Sequence, residues 1–291
     1  MGKETKIEWT DHTFNPWVGC SKISPACDHC YAESWAKRAG HPELWAGEHR
    51  RTTAANWRQP EKWDREAFKA WHRPRVFCAS LADVFDNQVP DEWRRDLWAL
   101  IERTPRLDWL LLTKRPQYIR KMLPWGHKPW ENVWLGTTVE NQEEANRRIP
   151  LLLGTPAVVR FVSCEPMLGP VSLQHGTINW VIVGGESGPG ARPCDVRWMR
   201  SVIGQCKTAR VPVFVKQLGR FVIDRNDAGF DGCEVGSWPL RGDGSEREID
   251  NYPFGYEDHA QGAPCRVLLD DRKGGDPTEW PADLRVREFP Q

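Results

Sequence analysis

Short apolar runs alternate along this chain with longer stretches in which charged residues recur at helical spacing. The apolar runs lie at 14–18, 75–79, 109–113, 133–137, 158–163, 180–183 and 211–215. Several consist almost wholly of Val, Ile, Leu, Phe and Trp, which is typical of strands buried on both faces. Residues 91–103, 117–122, 140–153 and 196–209 show the pattern of helices between them. Asp91 and Asn141 are suitable helix starts.

Repeated strand-then-helix units predict a parallel sheet. Seven such units in 291 residues favour an α/β fold built on a partial (β/α) barrel of parallel strands. We place this barrel in residues 1–220, with a basic helical insertion at 41–74, and we assign 221–291 to an irregular, acidic C-terminal extension. A second insertion, 221–262, is rich in Gly and Asp. No apolar run reaches the roughly 18 residues that a membrane-spanning helix needs.

Nearly every predicted strand ends in polar or reactive residues. In chain order these ends are marked by Cys20, by Ser80 and Asp83, by Lys114 and Arg115, by Thr138, Glu140 and Asn141, by Glu165, by Gly184-Gly185-Glu186, and by Lys216. One polar strand end carries little information, because loops are polar in general. The carboxyl ends of the strands are, however, where β/α barrels form their active sites. The sequence therefore predicts a single site at that edge of the sheet.

The charge of the chain is zero overall but unevenly distributed. Residues 1–220 carry 32 Lys and Arg against 24 Asp and Glu, while residues 221–291 carry 8 against 16. Insertion 41–74 mixes basic residues with Trp45, Trp57, Trp63 and Trp71, a combination that suits a phosphate backbone and unstacked bases. An amphipathic helical cap fits the same pattern equally well. The candidate nucleic-acid contacts are Arg50, Arg51, Arg58, Lys114, Arg115 and Lys216.

Three cysteines near the start of the chain, Cys20, Cys27 and Cys30, carry the strongest chemical signal. Three thiolates on one loop can hold three irons of a [4Fe–4S] cluster and leave the fourth iron open. A zinc site completed by His12 or His29 is an alternative, although no second Cys-x-x-Cys pair is present. Disulfides are disfavoured because the nine cysteines show no framework spacing and no signal peptide precedes them, so we expect a reducing cytoplasm.

The chain resembles the radical SAM superfamily, and more closely a phage-associated family of that type, over about residues 5–220. The resemblance rests on Phe14-Asn15-Pro16-Trp17-Val18-Gly19-Cys20, Cys27-Asp28-His29-Cys30-Tyr31-Ala32-Glu33, Leu111-Leu112-Thr113-Lys114-Arg115-Pro116, Gly136-Thr137-Thr138-Val139-Glu140-Asn141 and Gly184-Gly185-Glu186-Ser187-Gly188. The usual Cys-x3-Cys-x2-Cys spacing is altered, because six residues separate Cys20 from Cys27. A longer loop can still reach the same iron, since loop length costs little in closure entropy.

The resemblance implies a [4Fe–4S] cluster on Cys20, Cys27 and Cys30 and S-adenosylmethionine (SAM) on the open iron. Reductive cleavage of SAM would give a 5′-deoxyadenosyl radical, with flavodoxin or ferredoxin as the electron donor. The superfamily often has Gly-Gly-Glu after its second strand, whereas here it follows the sixth, so its role is not transferred. The candidate SAM contacts, taken from position alone, are Ser80, Asp83, Thr138, Asn141 and Glu165.

The expected function is that of a radical SAM enzyme acting on a nucleobase substituent in DNA. The phage-type resemblance favours thymidine hypermodification, for example isomerisation of an attached amino-acid group. The alternatives are a radical SAM enzyme acting on tRNA, a peptide or a damaged pyrimidine, and a zinc-stabilised nucleic-acid-binding protein without catalysis. Metal content separates the last of these from the others.

Overall fold

The computed structural model describes residues 5–173, 176–188, 190–224, 233–235 and 265–290. Its strands are β1 (His12–Phe14), β2 (Trp17–Val18), β3 (Arg50–Arg51), β4 (Arg75–Cys78), β5 (Asp108–Thr113), β6 (Val133–Thr138), β7 (Val159–Cys164), β8 (Trp180–Gly184), β9 (Cys194–Asp195), β10 (Val213–Gln217), β11 (Val222–Asp224), β12 (Cys233–Val235) and β13 (Cys265–Val267). Its helices are α1 (Tyr31–Arg38), α2 (Ala54–Trp57), α3 (Gln59–Ala70), α4 (Asp91–Arg103), α5 (Pro116–Met122), α6 (Gln142–Leu153) and α7 (Val196–Ala209).

Seven parallel strands form a curled half-barrel in the order β1-β4-β5-β6-β7-β8-β10. The predicted α/β fold and partial barrel are confirmed. The predicted helices also occur: 91–103 and 196–209 match α4 and α7, and Asn141 caps α6 by accepting a hydrogen bond from the Glu144 N–H at 2.9 Å. Asp91 lies in the first turn of α4 rather than at its cap.

Side chains alternate between the two faces of the half-barrel. One face packs against the helices, and its core includes Trp109, Leu111 and Val181. The opposite, concave face carries a separate aromatic cluster. That cluster consists of Trp9, Phe77, Leu110, Phe161, Trp180, Ile182 and Phe214. This cluster, here called the aromatic floor, fills the half-barrel below the carboxyl ends of the strands. The polar strand ends therefore lie above a packed apolar layer.

The first predicted strand, 14–18, is in fact two short strands in different sheets. β1 joins the half-barrel, whereas β2 pairs antiparallel with β3, placing Val18 beside Arg50. Pro16 between them has no N–H to donate to a ladder. The Asn15 side chain instead donates to Ser80 Oγ at 3.0 Å and accepts from the Leu81 N–H at 2.8 Å. The chain therefore turns at Asn15 and Pro16, between β1 and β2, at the carboxyl edge of the sheet.

The end of the chain covers the edge strand of the half-barrel. The Val215 N–H donates to the Val286 carbonyl at 2.8 Å, and the Glu288 N–H donates to the Val213 carbonyl at 3.0 Å. Trp280 is buried nearby. Most of insertion 221–262 lies outside the described residues. None of the helices in the described part of the chain combines the length and apolar character that a bilayer crossing needs.

Candidate active site

Residues 19–31, here called the cysteine loop, lie across the carboxyl ends of the half-barrel strands. The loop begins at Gly19, whose φ of +118° disfavours any residue with a side chain. A Cβ at this position would stand 2.1 Å from the Glu48 carbonyl oxygen. The Gly19 N–H donates to Leu81 at 3.1 Å and the Cys20 N–H donates to Leu44 at 2.9 Å, so insertion 41–74 and the loop after β4 together fix the entry.

Arg115, which follows β5, holds the first part of the cysteine loop. It is buried, and its guanidinium donates to the carbonyl and hydroxyl oxygens of Ser21 at 2.9 and 2.7 Å. It also lies 3.3 Å from Asp83 and 3.2 Å from Asp86. A further contact reaches Cys20 Sγ at 3.6 Å. This buried side chain therefore faces the cysteine loop, and we reassign it from a nucleic-acid contact to a loop contact.

Asp83 is likewise fully engaged within the protein. Its carboxylate accepts from Thr113 Oγ1 at 2.7 and 2.8 Å, from the Phe85 N–H at 2.9 Å and from the Lys114 N–H at 3.2 Å, in addition to Arg115. The bonds to Thr113, Lys114 and Arg115 join the loop after β4 to the end of β5, whereas the Phe85 bond lies within that loop. Asp83 thus orients Arg115 beneath the loop.

The middle of the cysteine loop is bound by Glu140, which follows β6. The Ala26 N–H donates to Glu140 Oε1 at 3.2 Å. Glu140 and Arg148 are both fully buried, and Arg148 Nη1 donates to Glu140 Oε2 and to the Thr138 carbonyl, each at 2.8 Å. Arg148 also lies 2.9 Å from Glu144. Glu140 therefore joins the cysteine loop to Arg148 of α6.

The last part of the loop is bound by Glu186, the end of the Gly184-Gly185-Glu186 motif. Glu186 lies 3.0 Å from His29 Nδ1 and accepts from the Arg192 N–H at 2.8 Å and from its Nη2 at 2.6 Å. Burial opposes ionisation of Glu186, but the hydrogen bonds from Arg192 and His29 outweigh it and hold the pKa of this carboxyl below its usual range. Gly185 permits this arrangement, because a Cβ there would lie 2.1 Å from the Leu218 carbonyl oxygen.

The ends of β4, β5, β6 and β8 therefore converge on one loop. Sequence reasoning placed polar residues at these ends but did not pair them with the loop. Arg148 and Arg192 were missed altogether. Little in the sequence distinguishes them, since an arginine in a helix or surface loop is ordinarily solvated.

The remaining candidate SAM contacts divide into two groups. The Ser80 hydroxyl is bonded to Asn15, the Ser80 carbonyl accepts from the Tyr31 hydroxyl at 2.6 Å, and Asn141 caps α6. Thr138 and Glu165 instead lie on the concave face, above the aromatic floor, because side chains alternate between the two faces along a strand. Glu165 is paired there with Lys216, and the pair crosses the end of β8 at Gly184. A Cβ on Gly184 would lie 3.4 Å from Glu165 Cγ, so the glycine leaves room for the pair.

Ser163 lies beside Thr138 in the β6–β7 register and was not singled out from the sequence. Its hydroxyl is buried and has no hydrogen-bond partner among the described residues. A buried hydroxyl without a partner is costly. A polar ligand above the concave face, adjoining Glu165 and Lys216, would relieve that cost.

Three exposed arginines lie in insertion 41–74, and two of them are beside β2, the strand that leads into the cysteine loop. Arg50 and Arg51 form β3 beside β2, and Arg58 separates α2 from α3. Arg51 pairs with Asp96 at 2.7 Å and lies over the Trp57 ring at 4.4 Å. Lys114 is half-buried. These positions place positive charge near the carboxyl edge of the sheet.

The four tryptophans of the insertion are spread over both ends of the sheet. Trp45 and Trp57 are half-buried near β2 and β3, and Trp63 is buried against the His12 ring at 4.3 Å. Trp71 is 95 % exposed but lies just before β4, at the amino edge of the sheet. It is therefore remote from the cysteine loop.

The thiols of the cysteine loop suit an iron–sulfur cluster in their chemistry. Cys20, Cys27 and Cys30 are free and only partly buried. Burial, followed by the charge of Asp83, raises the pKa of Cys20 to about 12, while Arg115 opposes the rise. Cys30 immediately precedes α1, whose N-terminal N–H groups favour negative charge.

The residues considered for a single-ion zinc site can be located as well. Among the described residues, no three His, Cys, Asp or Glu side chains are gathered closely enough to hold one metal ion. Zinc ligands must meet at roughly 2.0–2.3 Å from one point, whereas cluster thiolates bind separate irons. Of the two histidines considered as a fourth ligand, His12 stacks on Trp63, and His29, within the cysteine loop, binds Glu186 through Nδ1.

Comparison with known families gives one match. A family profile described as a protein of unknown function, DUF5131, matches residues 4–262. The chain belongs to this family. No curated protein matches the sequence. The match covers the cysteine loop, the insertion and the strand ends described above, so these features lie within the family region.

Among solved structures, the DUF5131 chain is similar to spore photoproduct lyase. A mutant of that enzyme with bound AdoMet and dinucleoside spore photoproduct shows a TM-score of 0.44 and 12 % identity, covering 92 % of this chain and 71 % of that one. Spore photoproduct lyase complexed with dinucleoside spore photoproduct shows a TM-score of 0.40 and 12 % identity, covering 87 % and 67 %.

Proposed function

We propose that this protein is a radical SAM enzyme in which Cys20, Cys27 and Cys30 hold a [4Fe–4S] cluster. The observation that carries the proposal is the convergence of four strand ends on the cysteine loop. Arg115, Glu140 and Glu186 each hold a different part of it. A loop that only connected β2 to α1 would not need three buried or half-buried charged contacts. A loop that must present three thiols to one cluster needs such positioning.

Cluster and SAM together supply one-electron cleavage of the SAM S–C5′ bond and hence hydrogen abstraction from a substrate. The chain itself supplies the enclosure. The aromatic floor formed around Phe161 and Trp180 closes the half-barrel from below. Water is thereby excluded from the concave face on that side.

We assign the polar part of the SAM site to the concave face beside Glu165. Glu165, Lys216 and Thr138 share this face, and Ser163 adds a buried hydroxyl without a partner among the described residues. Ser80, Asp83 and Asn141 have their side chains committed to Asn15, to Arg115 and Thr113, and to the α6 cap. We therefore move them from direct SAM contacts to positioning roles.

For the substrate, we propose a nucleobase substituent in DNA. Arg50 and Arg51 are exposed beside β2, which leads into the cysteine loop, and Arg58 is exposed further along the same insertion. These side chains would contact the phosphate backbone of a nucleic acid whose base enters the half-barrel. Isomerisation of an amino-acid group on a phage-modified thymidine is the reaction class we favour, with flavodoxin or ferredoxin as electron donor. A damaged pyrimidine, tRNA or a peptide is the alternative substrate.

The test is reductive cleavage of SAM by anaerobically reconstituted protein. We expect dithionite-reduced protein to form 5′-deoxyadenosine and methionine, and the triple variant Cys20→Ala/Cys27→Ala/Cys30→Ala to form neither. Modified and unmodified oligonucleotides are then compared as accelerators of the reaction. Stoichiometric zinc in a colourless, folded protein that takes up no iron would overturn the proposal and favour the non-catalytic zinc protein.

A further inference from the structure

Arg115 is the charged side chain in closest contact with a thiol of the cysteine loop. Its Nη1 lies 3.6 Å from Cys20 Sγ, within the range of hydrogen bonds to sulfur. The same guanidinium is pinned from two other directions, by Ser21 at 2.7 and 2.9 Å and by Asp83 and Asp86 at 3.3 and 3.2 Å. Five contacts on one planar group leave it little freedom to move away from the sulfur.

The two carboxylates around Arg115 are themselves fixed. Asp83 accepts from Thr113 and from backbone N–H groups. Asp86 is fully buried, lies 3.4 Å from His49 Nε2 and accepts from the Gln88 N–H at 3.0 Å. Arg115 is thus the only cation among the described residues that bridges these two acids and the Cys20 sulfur.

Resting on the proposed function, we propose that Arg115 sets the reduction potential of the cluster through its contact with Cys20 Sγ. The potentials of iron–sulfur clusters depend on hydrogen bonds to the sulfurs, on nearby charge and on burial. A fixed positive charge beside a ligand sulfur stabilises the reduced cluster, which carries one more negative charge. Because the site is buried, that charge is weakly screened.

The reduction itself is a one-electron step from the 2+ to the 1+ cluster. The electron comes from dithionite in the assay, or from a flavodoxin or ferredoxin donor. Arg115 keeps its proton throughout, because guanidinium is not deprotonated in proteins. Removing Arg115 takes away the positive charge in contact with the sulfur and leaves Asp83 and Asp86 without the cation they share. The potential must then fall.

Arg94 provides a matched control. It is also buried, and it donates to the Val84 and Asp86 carbonyls at 3.0 and 2.7 Å, so it supports the same loop after β4. It forms an ion pair with Asp91 at 2.7 Å. Loss of Arg94 therefore loosens the 83–89 loop without removing the contact to Cys20 Sγ.

The experiment is an EPR-monitored redox titration of reconstituted wild-type, Arg115→Gln, Arg115→Lys and Arg94→Gln proteins, each with its iron content measured first. We expect Arg115→Gln to make reduction at least tenfold less favourable, a shift of about 59 mV to more negative potential for one electron. Arg115→Lys, which keeps the charge but not the planar fork, should shift less. Arg94→Gln should retain the wild-type potential.

Several outcomes would overturn the inference. An unchanged potential in an iron-loaded Arg115→Gln variant is one, and an equal shift in Arg94→Gln is another, since loosening of the loop would then explain both. Loss of iron from both Arg115 variants would make the residue a requirement for loop folding instead. If wild-type protein takes up no iron, the proposed function fails as well, and the iron measurement distinguishes that case from the others.

Discussion

The backbone N–H of Ala26 donates to the carboxylate of Glu140 at 3.2 Å, joining the cysteine loop to the end of β6. Both residues are buried. Glu140 is in turn paired with buried Arg148, so a charge pair within the protein supports a loop at its surface. Stability of the fold and placement of Cys27, the next residue after Ala26, therefore depend on the same contact.

Replacing Arg148 by Met should strongly destabilise the protein. It leaves the Glu140 carboxylate buried without its cation, and breaking a buried pair from one side costs about 3–5 kcal/mol. Urea denaturation measures the free energy of unfolding. Arg147→Met is the matched control, because Arg147 lies on the same helix with its side chain 55 % exposed, and exposed pairs contribute about 0–1 kcal/mol. Equal losses in the two variants would contradict the role we give to the buried pair.

Replacing glycine by alanine should change the free energy of unfolding in opposite directions at Gly136 and Gly204. A Cβ on Gly136 would lie 2.4 Å from the Phe161 ring in the concave face, so Gly136→Ala overpacks the core and should cost about 1–3 kcal/mol. Gly204 stands in α7 with nothing within 4 Å of a built Cβ, so Gly204→Ala should stabilise by about 0.5–1 kcal/mol. Thermal unfolding of both variants tests the difference in sign.

The stability contributed by the contacts of Glu186 with His29 and Arg192 should depend on pH. Because the folded protein holds the pKa of Glu186 below its ordinary value, ionised Glu186 stabilises the fold above the unfolded pKa of about 4.3. That contribution is lost as the pH falls through the lower pKa of the folded state. The difference in unfolding free energy between wild type and Glu186→Gln should thus be largest near pH 7 and shrink toward pH 3. A constant difference across this range would show that the charge of Glu186 is not what holds Arg192 and His29.

Iron content should depend on the cysteine loop alone. Removing Cys20, Cys27 and Cys30 together should abolish the brown colour and the roughly four irons per chain of a reconstituted [4Fe–4S] protein. Alanine at Cys78 or Cys194 should leave iron content unchanged, since these thiols are buried and burial raises their pKa. Loss of iron from the buried variants without loss of folding would mean that the ligands are wrongly assigned.

The alternation of apolar runs and helices was sufficient to predict the half-barrel, because strands buried on both faces are nearly continuous in apolar residues. The split at Pro16 was less visible, since apolar residues stand on both sides of it. The edge of the sheet at which the polar strand ends gather was also predictable. Which residue bonds to which was not, because the charged partners of the loop, Arg115, Glu140 and Glu186, lie 94 to 157 positions from the loop residues they bind. The burial of Arg115 against the cysteine loop was not predictable either, because in the sequence Arg115 is one basic residue among many.

DNA binding should depend on salt through the arginines beside the cysteine loop. The triple variant Arg50→Gln/Arg51→Gln/Arg58→Gln removes three exposed charges near the carboxyl edge of the sheet. Each phosphate contact on duplex DNA contributes about 0.9, and on a single strand about 0.7, to the slope of log K against log salt. We therefore expect a shallower slope and weaker binding, measured by fluorescence anisotropy over a range of salt concentrations.

The control for this prediction lies at the opposite edge of the sheet. Lys207 and Arg210 are exposed at the end of α7, just before β10 begins, so Lys207→Gln/Arg210→Gln removes similar charge from the amino edge. Trp71→Ala probes the same edge with an aromatic side chain. If these variants weaken binding as much as the arginine variant does, the interaction is nonspecific attraction to a basic surface. If only the arginine variant changes the slope, the backbone passes the cysteine loop. A base must then leave the stack to reach the half-barrel, as enzymes that modify bases require.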